Sequence, residues 1–426
     1  MCLNVNWVNF RSSENFLTVV VTMSSYDLRL KDLDQVLESE VIDLSKLREF
    51  CFNGIPDVKG YRSLCWRLLL NYLPCDRNKW DEQLDHHRKL YQQWLDEILV
   101  TPGSFDNEEC DHPLSEDPNS KWNTFFKDNQ ALTQIDKDVR RLHPELSFFQ
   151  QATDYPLSNV VYSCGTKRLN RRVGMHFLNS ANVVRKGLGI VKISPKAEQT
   201  STSEFKPLEE GSEAHWEVVE RILFVYCKLN PGQGYVQGMN EIIGPIYYCF
   251  ATDPIIKMKE HAEADCFFVF TNLMSEIRDF FIKTLDETDT GIVNMMRKVT
   301  DRLKENDPVV QSYLVKNEIY PQYYSFRWLT LLLSQEFSLP EVLRIWDSLF
   351  SDSQRFSFLI DICCAMIVYV LFGLIRDQIL AGDFSTIVKL LQNYPNVETS
   401  VILNKAVELS IKNRDVMVFS EESSGI

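Results

Sequence analysis

Two short polar motifs carry the side chains of this sequence that are best suited to chemistry. The first covers residues 135–141 and reads IDKDVRR, and the second covers residues 234–240 and reads GYVQGMN. An arginine guanidinium neutralises charge on phosphoryl oxygens, and a glutamine carboxamide can hold a water molecule while it contacts a backbone group. Presented from separate scaffolds, these are the two groups that a GTP-hydrolysing site needs from outside when its own residues are incomplete.

The arginine motif is predicted to lie on a helix, which sets the direction of each side chain. At about 100° per residue, three apolar residues share one face and should be buried: Ile135, Val139 and Leu142. Arg141 points away from this face, and Asp138, three residues before it, can orient its guanidinium. Arg140 faces elsewhere and can pair with Asp136. Pro144 ends the helix, which leaves Arg141 in the last turn as the oriented arginine.

The glutamine motif begins in a glycine-rich loop, and Gln237 is its candidate functional residue. Tyr235 and Met239 lie two residues on either side of Gln237 and are predicted to anchor it by apolar packing. Gly238 follows directly and leaves room for the backbone of a partner to approach. Gln233, inside the loop, has no comparable anchors, so it is the weaker candidate.

Each motif alone has a less specific interpretation. An I-x-x-D-x-x-R string is most often an amphipathic helix with a solvated ion pair, and a Y-x-Q-G string is most often a turn whose amide is satisfied internally. The weight of the two motifs lies in their occurrence together, in this order and with their flanking residues. No G-x-x-x-x-G-K-[ST] string occurs, so the sequence has no phosphate-binding loop of that type.

Helical periodicity dominates the chain around these motifs, so the predicted fold class is all-α. The helical stretches are 61–73, 77–100, the region around 135, and 214–228 continuing with short breaks to 411. No segment shows alternating strands in series. We predict three regions: a partly helical or disordered leader over 1–44, a single domain over 45–410, and a tail over 411–426. Met23 is an alternative initiator, which would make residues 1–22 an extension.

The bulk composition excludes several classes of protein. The net charge is −14, from 45 basic and 59 acidic residues, which argues against nucleic-acid binding because phosphate contacts need clustered Lys and Arg. Eleven cysteines without paired short spacings fit reduced thiols, and the adjacent Cys363 and Cys364 are predicted core residues. The uncharged run 362–375 is shorter than the roughly 20 residues of a membrane-spanning helix. We therefore predict a soluble, cytoplasmic protein without a metal site or cofactor of its own.

A basic segment separates the two motifs, within a predicted insertion over about 155–211. Residues 155–197 contain no Asp or Glu and eight Lys or Arg residues. One interpretation is a surface for anionic lipid or an acidic partner, in which Arg168, Arg171 and Arg172 take part. The alternative, which is more frequent for such runs, is a solvated and mobile insertion.

These residues together resemble the TBC domain, the GTPase-activating module for Rab proteins, from about Gly54 to the C-terminal region. An opening block, the two motifs and two later blocks occur in the family order. The matching residues are Gly54, Ile55, Pro56, Arg62, Trp66, Leu69 and Leu70; Ile135, Asp138, Arg141 and Pro144; Tyr235, Gln237, Gly238, Met239 and Asn240; Phe326, Arg327 and Trp328; and Arg344, Ile345, Trp346 and Asp347. The run 368–374 is longer than the family helix, and the basic segment has no counterpart in the family pattern.

The resemblance implies a two-lobed, multi-helix domain that accelerates GTP hydrolysis by a Rab-family GTPase in trans. Arg141 would be the arginine finger and Gln237 the glutamine finger. The residues that would support them are Ile135, Asp138, Tyr235, Gly238, Met239 and Asn240. The Rab, in its GTP form, would bring the GTP and Mg²⁺, in the setting of vesicle trafficking in the cytoplasm or at the periphery of endomembranes or the plasma membrane. The alternative is a scaffold that binds a Rab without accelerating hydrolysis.

Overall fold

The computed structural model describes most of the chain, as helices joined by short turns. The described residues are 25–99, 121–162, 168–174, 208–209, 211–282, 286, 288, 291–368 and 374–423. Within these ranges the β pairing consists of two isolated bridges, Val41 with Asp76 and Ala152 with Ala214. The predicted all-α class is confirmed.

The helices are numbered here in chain order. The first eight are α1 (Ser25–Glu38), α2 (Leu44–Phe52), α3 (Tyr61–Leu69), α4 (Trp80–Ile98), α5 (Lys121–Val139), α6 (Ser158–Val161), α7 (His215–Leu229) and α8 (Met239–Ala251). The others are α9 (Ile256–Lys259), α10 (Ala262–Ile277), α11 (Ile292–Asn306), α12 (Pro308–Lys316), α13 (Ser325–Thr330), α14 (Leu339–Ser351), α15 (Phe356–Val368), α16 (Leu374–Ala381), α17 (Phe384–Gln392) and α18 (Thr399–Ser423). A further helical segment covers 169–174.

The helices pack into two lobes, as predicted. In the first lobe α4, α5, α8 and α10 surround α7, in which every residue from 215 to 226 is buried. In the second lobe α11, α12, α13, α15 and α18 pack together. Helix α14 lies between the lobes, against α2, α3 and α8 on one side and against α15 and α18 on the other. It begins at a capping box, in which the Ser338 amide donates to the Glu341 carboxylate at 2.9 Å.

Asp347 of α14 is the centre of a buried polar cluster that joins α14 to α3 and to the residues before α3. Its carboxylate accepts hydrogen bonds from the Ile55 amide at 2.9 Å, from Trp66 Nε1 at 2.9 Å and from Arg62 Nε at 3.2 Å. Burial raises the pKa of the Asp347 carboxyl, while Arg62 and the other donors oppose that shift. A charge in this position is tolerated only because it is paired on several sides. The opening and later sequence blocks therefore occur together because their residues are in direct contact.

One helix ends earlier than the sequence predicts. The helix predicted over 61–73 ends at Leu69, because Asn71 has a φ of +57°, a left-handed conformation through which a helix does not continue. The predicted tail boundary at 410 falls inside α18. Cys363 and Cys364 are buried, as predicted. Residues 1–22 and most of the run 368–374 lie outside the described residues.

Two of the three arginines assigned to a basic surface have internal partners instead. Arg168 Nε donates to the Glu217 carboxylate at 2.7 Å. Arg172 is buried, donates to Asn129 Oδ1 at 2.6 Å, and holds its guanidinium 3.7 Å from the centre of the Phe125 ring. For Arg168 and Arg172, neither the basic surface nor the solvated, mobile insertion is correct. These two side chains attach the segment 168–174 to α7 and α5. The other basic residues of the segment are exposed or lie outside the described ranges.

Candidate functional site

Arg141 lies in a turn directly after α5, and not in the last turn of a helix as predicted. Helix α5 ends at Val139, and the Arg141 amide donates to the Asp138 carbonyl at 3.2 Å, three residues back instead of four. The cause is Pro144, which disfavours the helical conformation for the residue before it. That residue, His143, has a φ of +43°. The Arg141 side chain is 71% exposed as a result of its position at this turn.

Asp138 orients Arg141, as the helical spacing predicted. Asp138 Oδ1 accepts a hydrogen bond from Arg141 Nη2 at 3.2 Å, and the Asp138 side chain is only 4% exposed. One end of this ion pair is therefore held by the protein interior while the other faces solvent. Arg140 is engaged elsewhere, since it pairs with Asp136 at 2.9 Å and lies 4.3 Å from the centre of the Trp216 ring. Arg141 is thus the arginine available to a partner.

Gln237 lies in the turn that precedes α8. It is exposed, and its carboxamide makes no hydrogen bond to any residue within the described ranges. Gly238 follows it with a φ of +105°, and a Cβ atom there would lie 2.7 Å from Leu331 Cδ2. Only glycine fits here, because of this positive φ and because a side chain would collide with Leu331 of the second lobe. The prediction from the sequence had named only the space that glycine leaves for the backbone of a partner. The apolar residues predicted to support the two motifs are buried: Ile135, Val139, Leu142 and Met239.

The Tyr235 hydroxyl joins the two motifs. It donates to Asp138 Oδ2 at 2.9 Å and lies 3.4 Å from Asn240 Oδ1. Gln134 Nε2 donates to the same Asp138 oxygen at 3.0 Å. Burial and the Asp138 carboxylate raise the pKa of Tyr235, so its hydroxyl remains a donor. The sequence pattern predicts Tyr235 only as an apolar anchor. A polar contact could also have been expected, because the hydroxyl of a buried tyrosine needs a hydrogen-bond partner.

Arg141 and Gln237 line the same open cleft between the lobes, which has a volume of about 520 Å³. The other residues of its first-lobe wall are Asp138, Gly238, Asn240 and Glu241. Its second-lobe wall is formed by Phe326, Arg327, Thr330, Leu331 and Gln335. Sequence analysis matched Phe326 and Arg327 to a family block without placing them at the site. A larger cavity, of about 740 Å³, lies in the first lobe and includes neither Arg141 nor Gln237.

The electrostatics of the cleft suit an anionic group brought by a partner. Gln237 and Gly238 lie at the N-terminus of α8, where the helix dipole favours negative charge, beside the Arg141 cation. Glu241, in the first turn of α8, accepts a hydrogen bond from Asn240 Nδ2 at 2.8 Å. Burial raises the pKa of Glu241 from its ordinary value. In the part of the chain that the structure describes, no group of three His, Cys, Asp or Glu residues is placed to hold a metal ion.

Comparisons with known proteins give matches to a domain model, to whole sequences and to a solved structure. The Rab-GTPase-TBC domain model matches residues 198–375, a range that contains Gln237. TBC1 domain family member 13 of Homo sapiens is 51% identical over 399 residues, which cover 91% of this chain and 98% of that protein. The GTPase-activating protein gyp1 of Schizosaccharomyces pombe is 24% identical over 87% of this chain and 58% of its own length. The crystal structure of the Ypt/Rab-GAP domain of Gyp1p matches with a TM-score of 0.63 at 21% identity, over 91% of this chain and 98% of that one.

The identity to the human relative extends over nearly the full length of both proteins. The structural match shows the same fold at a much lower identity. No helix in the described ranges is long and apolar enough to cross a bilayer. On the sequence identity and the shared fold together, this chain belongs to the Rab-GTPase-TBC domain family.

Proposed function

We propose that this chain is a GTPase-activating protein for a Rab-family GTPase and that it supplies Arg141 and Gln237 in trans. The observation that carries the proposal is the cleft that both side chains line, with Arg141 71% exposed. Membership in the family supports a Rab as the partner. The Rab, in its GTP form, would bring the nucleotide and Mg²⁺, so the chain needs no cofactor. The setting we propose is vesicle trafficking, with the protein in the cytoplasm and in peripheral contact with membranes.

Arg141 acts in this proposal as an arginine finger. Its Nη2 group donates to Asp138 and its Nε group donates to the Lys137 carbonyl at 3.1 Å. These bonds leave Nη1 without a partner among the residues described, so it can contact the oxygens of the transferring phosphoryl group. Such a finger contributes about 10³–10⁵ in kcat, which is roughly 4–7 kcal/mol of the barrier at about 1.36 kcal/mol per tenfold.

Gln237 acts as the glutamine finger and orients the attacking water. Its carboxamide can accept a hydrogen bond from the water and donate one to a backbone carbonyl of the Rab. Gly238, whose backbone and contact with Leu331 permit no side chain, fixes the backbone next to Gln237 on the cleft wall. The N-terminus of α8 adds favourable potential for the phosphate groups.

Single-turnover GTP hydrolysis across a panel of purified, GTP-loaded Rabs tests this function. We expect wild type to accelerate one or more Rabs, and Arg141→Ala and Gln237→Ala to lose that acceleration while they still bind. Arg141→Lys should be nearly as inactive as Arg141→Ala because an ammonium lacks the guanidinium fork. Arg140→Lys is the matched control and should keep most of the activity. Tight Rab binding by wild type without acceleration would make the chain a scaffold.

A further inference from the structure

Four exposed aromatic side chains of the second lobe lie at or near the wall of the cleft. This aromatic rim consists of Tyr320, Tyr323, Phe326 and Phe384, which are 53%, 41%, 46% and 45% exposed. Phe326 is itself part of the cleft wall. Single exposed apolar residues are common on protein surfaces, whereas several large ones side by side mark an interaction surface. Aromatic residues are also enriched at the energetic centres of interfaces.

Ring contacts and backbone hydrogen bonds hold the aromatic rim in place. The ring centres of Tyr320 and Tyr323 are 6.1 Å apart, and those of Tyr323 and Phe384 are 5.7 Å apart in an edge-on arrangement. Gln392 Nε2 donates to the Tyr323 carbonyl at 2.9 Å, and Arg327 Nη2 donates to the Gln392 carbonyl at 2.6 Å. The rim is therefore ordered before any partner arrives, which lowers the entropy lost on binding.

We propose that the aromatic rim is the docking surface for an apolar patch of the Rab-family GTPase and sets how tightly each Rab binds. The inference rests on the proposed function. A GTPase whose nucleotide meets Arg141 and Gln237 must lie against Phe326, because Phe326 is a wall of the same cleft. Tyr323 is three residues before Phe326, and its carbonyl is joined through Gln392 to Arg327 of the cleft wall. The ring of Tyr323 contacts that of Phe384, so a GTPase in the cleft lies close to both. The matching surface of the partner must be apolar for this contact to stabilise the complex.

The rim also offers a reason for selecting the GTP form of the partner. The segments of a small GTPase next to its nucleotide are ordered by contacts with the γ-phosphate and Mg²⁺, and are released on hydrolysis. An ordered apolar patch pairs with a preorganised aromatic rim at little entropic cost, whereas a mobile segment does not. The product complex should therefore dissociate more readily than the substrate complex.

Kinetics of Tyr323→Ser and Phe384→Ser separate docking from catalysis, since neither residue lines the cleft. The rate of GTP hydrolysis by a fixed amount of GTP-loaded Rab is measured against increasing concentrations of the full chain. We expect a roughly tenfold or larger rise in the half-saturating concentration for each variant, with a maximal rate within about twofold of wild type. Tyr323→Phe, which keeps the ring, should behave as wild type. Ile256→Ser is the matched control, because Ile256 is 67% exposed but lies in α9, which packs against α8 of the first lobe.

Each other outcome overturns the inference in a recognisable way. Unchanged half-saturation in both serine variants, with wild type active, removes the rim from docking and leaves the proposed function intact. A lower maximal rate at unchanged half-saturation makes the rim a positioning element. A concentration-dependent dimer in light scattering, lost in the serine variants at unchanged half-saturation, assigns the rim to a second copy of the chain. No acceleration of any Rab by wild type refutes the proposed function and this inference together. Thermal unfolding followed by circular dichroism checks that every variant is folded.

Discussion

Removal of one oxygen atom, by Tyr235→Phe, should loosen the two fingers relative to each other while both backbones stay in place. The Tyr235 hydroxyl donates to Asp138 at 2.9 Å, and the Asp138 side chain is 4% exposed, so the bond joins a neutral donor to a buried charge. Hydrogen bonds to charged groups contribute about 1.5–3 kcal/mol. At about 1.36 kcal/mol per tenfold, the full value corresponds to a roughly 10- to 150-fold loss of kcat/KM. Gln134 still holds the same oxygen, so this range is an upper limit.

The assay for Tyr235→Phe is single-turnover GTP hydrolysis by the Rab that wild type activates most strongly. Tyr226→Phe is the matched control, because the Tyr226 hydroxyl donates to Gln233 Oε1 at 2.8 Å at the start of the same loop and does not contact Asp138. A double-mutant cycle of Tyr235→Phe with Asp138→Asn should give a coupling of about 1 kcal/mol or more. Equal activity of the two Tyr→Phe variants would refute the reasoning, since the fingers would then be positioned independently.

Three further predictions concern the stability of the fold and can be tested by denaturant unfolding. Gly238→Ala should lower the free energy of unfolding by about 2–4 kcal/mol, because its φ is +105° and the new Cβ would meet Leu331 at 2.7 Å; an unchanged unfolding midpoint would contradict this. Arg172→Met should cost about 2–4 kcal/mol through lost buried contacts, whereas the exposed Arg171→Met should stay within about 0.5 kcal/mol. Burial raises the pKa of Glu220 well above its ordinary value of 4.5, so the stability that its protonated form contributes is complete below pH 4.5 and is lost as the pH rises through the folded-state pKa. Wild type should therefore lose up to about 1.4 kcal/mol per pH unit relative to Glu220→Gln across that window, and parallel pH profiles would contradict the assignment.

The candidate arginine could be selected from the sequence because its geometry is local. Asp138 lies in the last turn of α5 and Arg141 in the turn that follows, three residues later, so the ion pair needs only neighbouring residues of the chain. The same period placed Ile135 in the core and paired Arg140 with Asp136. The all-α class was predictable for a related reason, since apolar residues that repeat with the helical period need only their own helix to be recognised.

The contact between the two motifs could not be predicted from helical periodicity. Tyr235 and Asp138 are 97 residues apart in the chain and meet through one hydrogen bond. Phe326 comes from the other lobe to complete the cleft. The sequence predicts Arg172 as a basic surface residue, but it is buried beside Phe125, which lies 47 residues earlier in the chain. Helical periodicity specifies which side of its own helix a residue faces, but contacts between distant segments depend on how the helices pack, and that packing exists only in the folded chain.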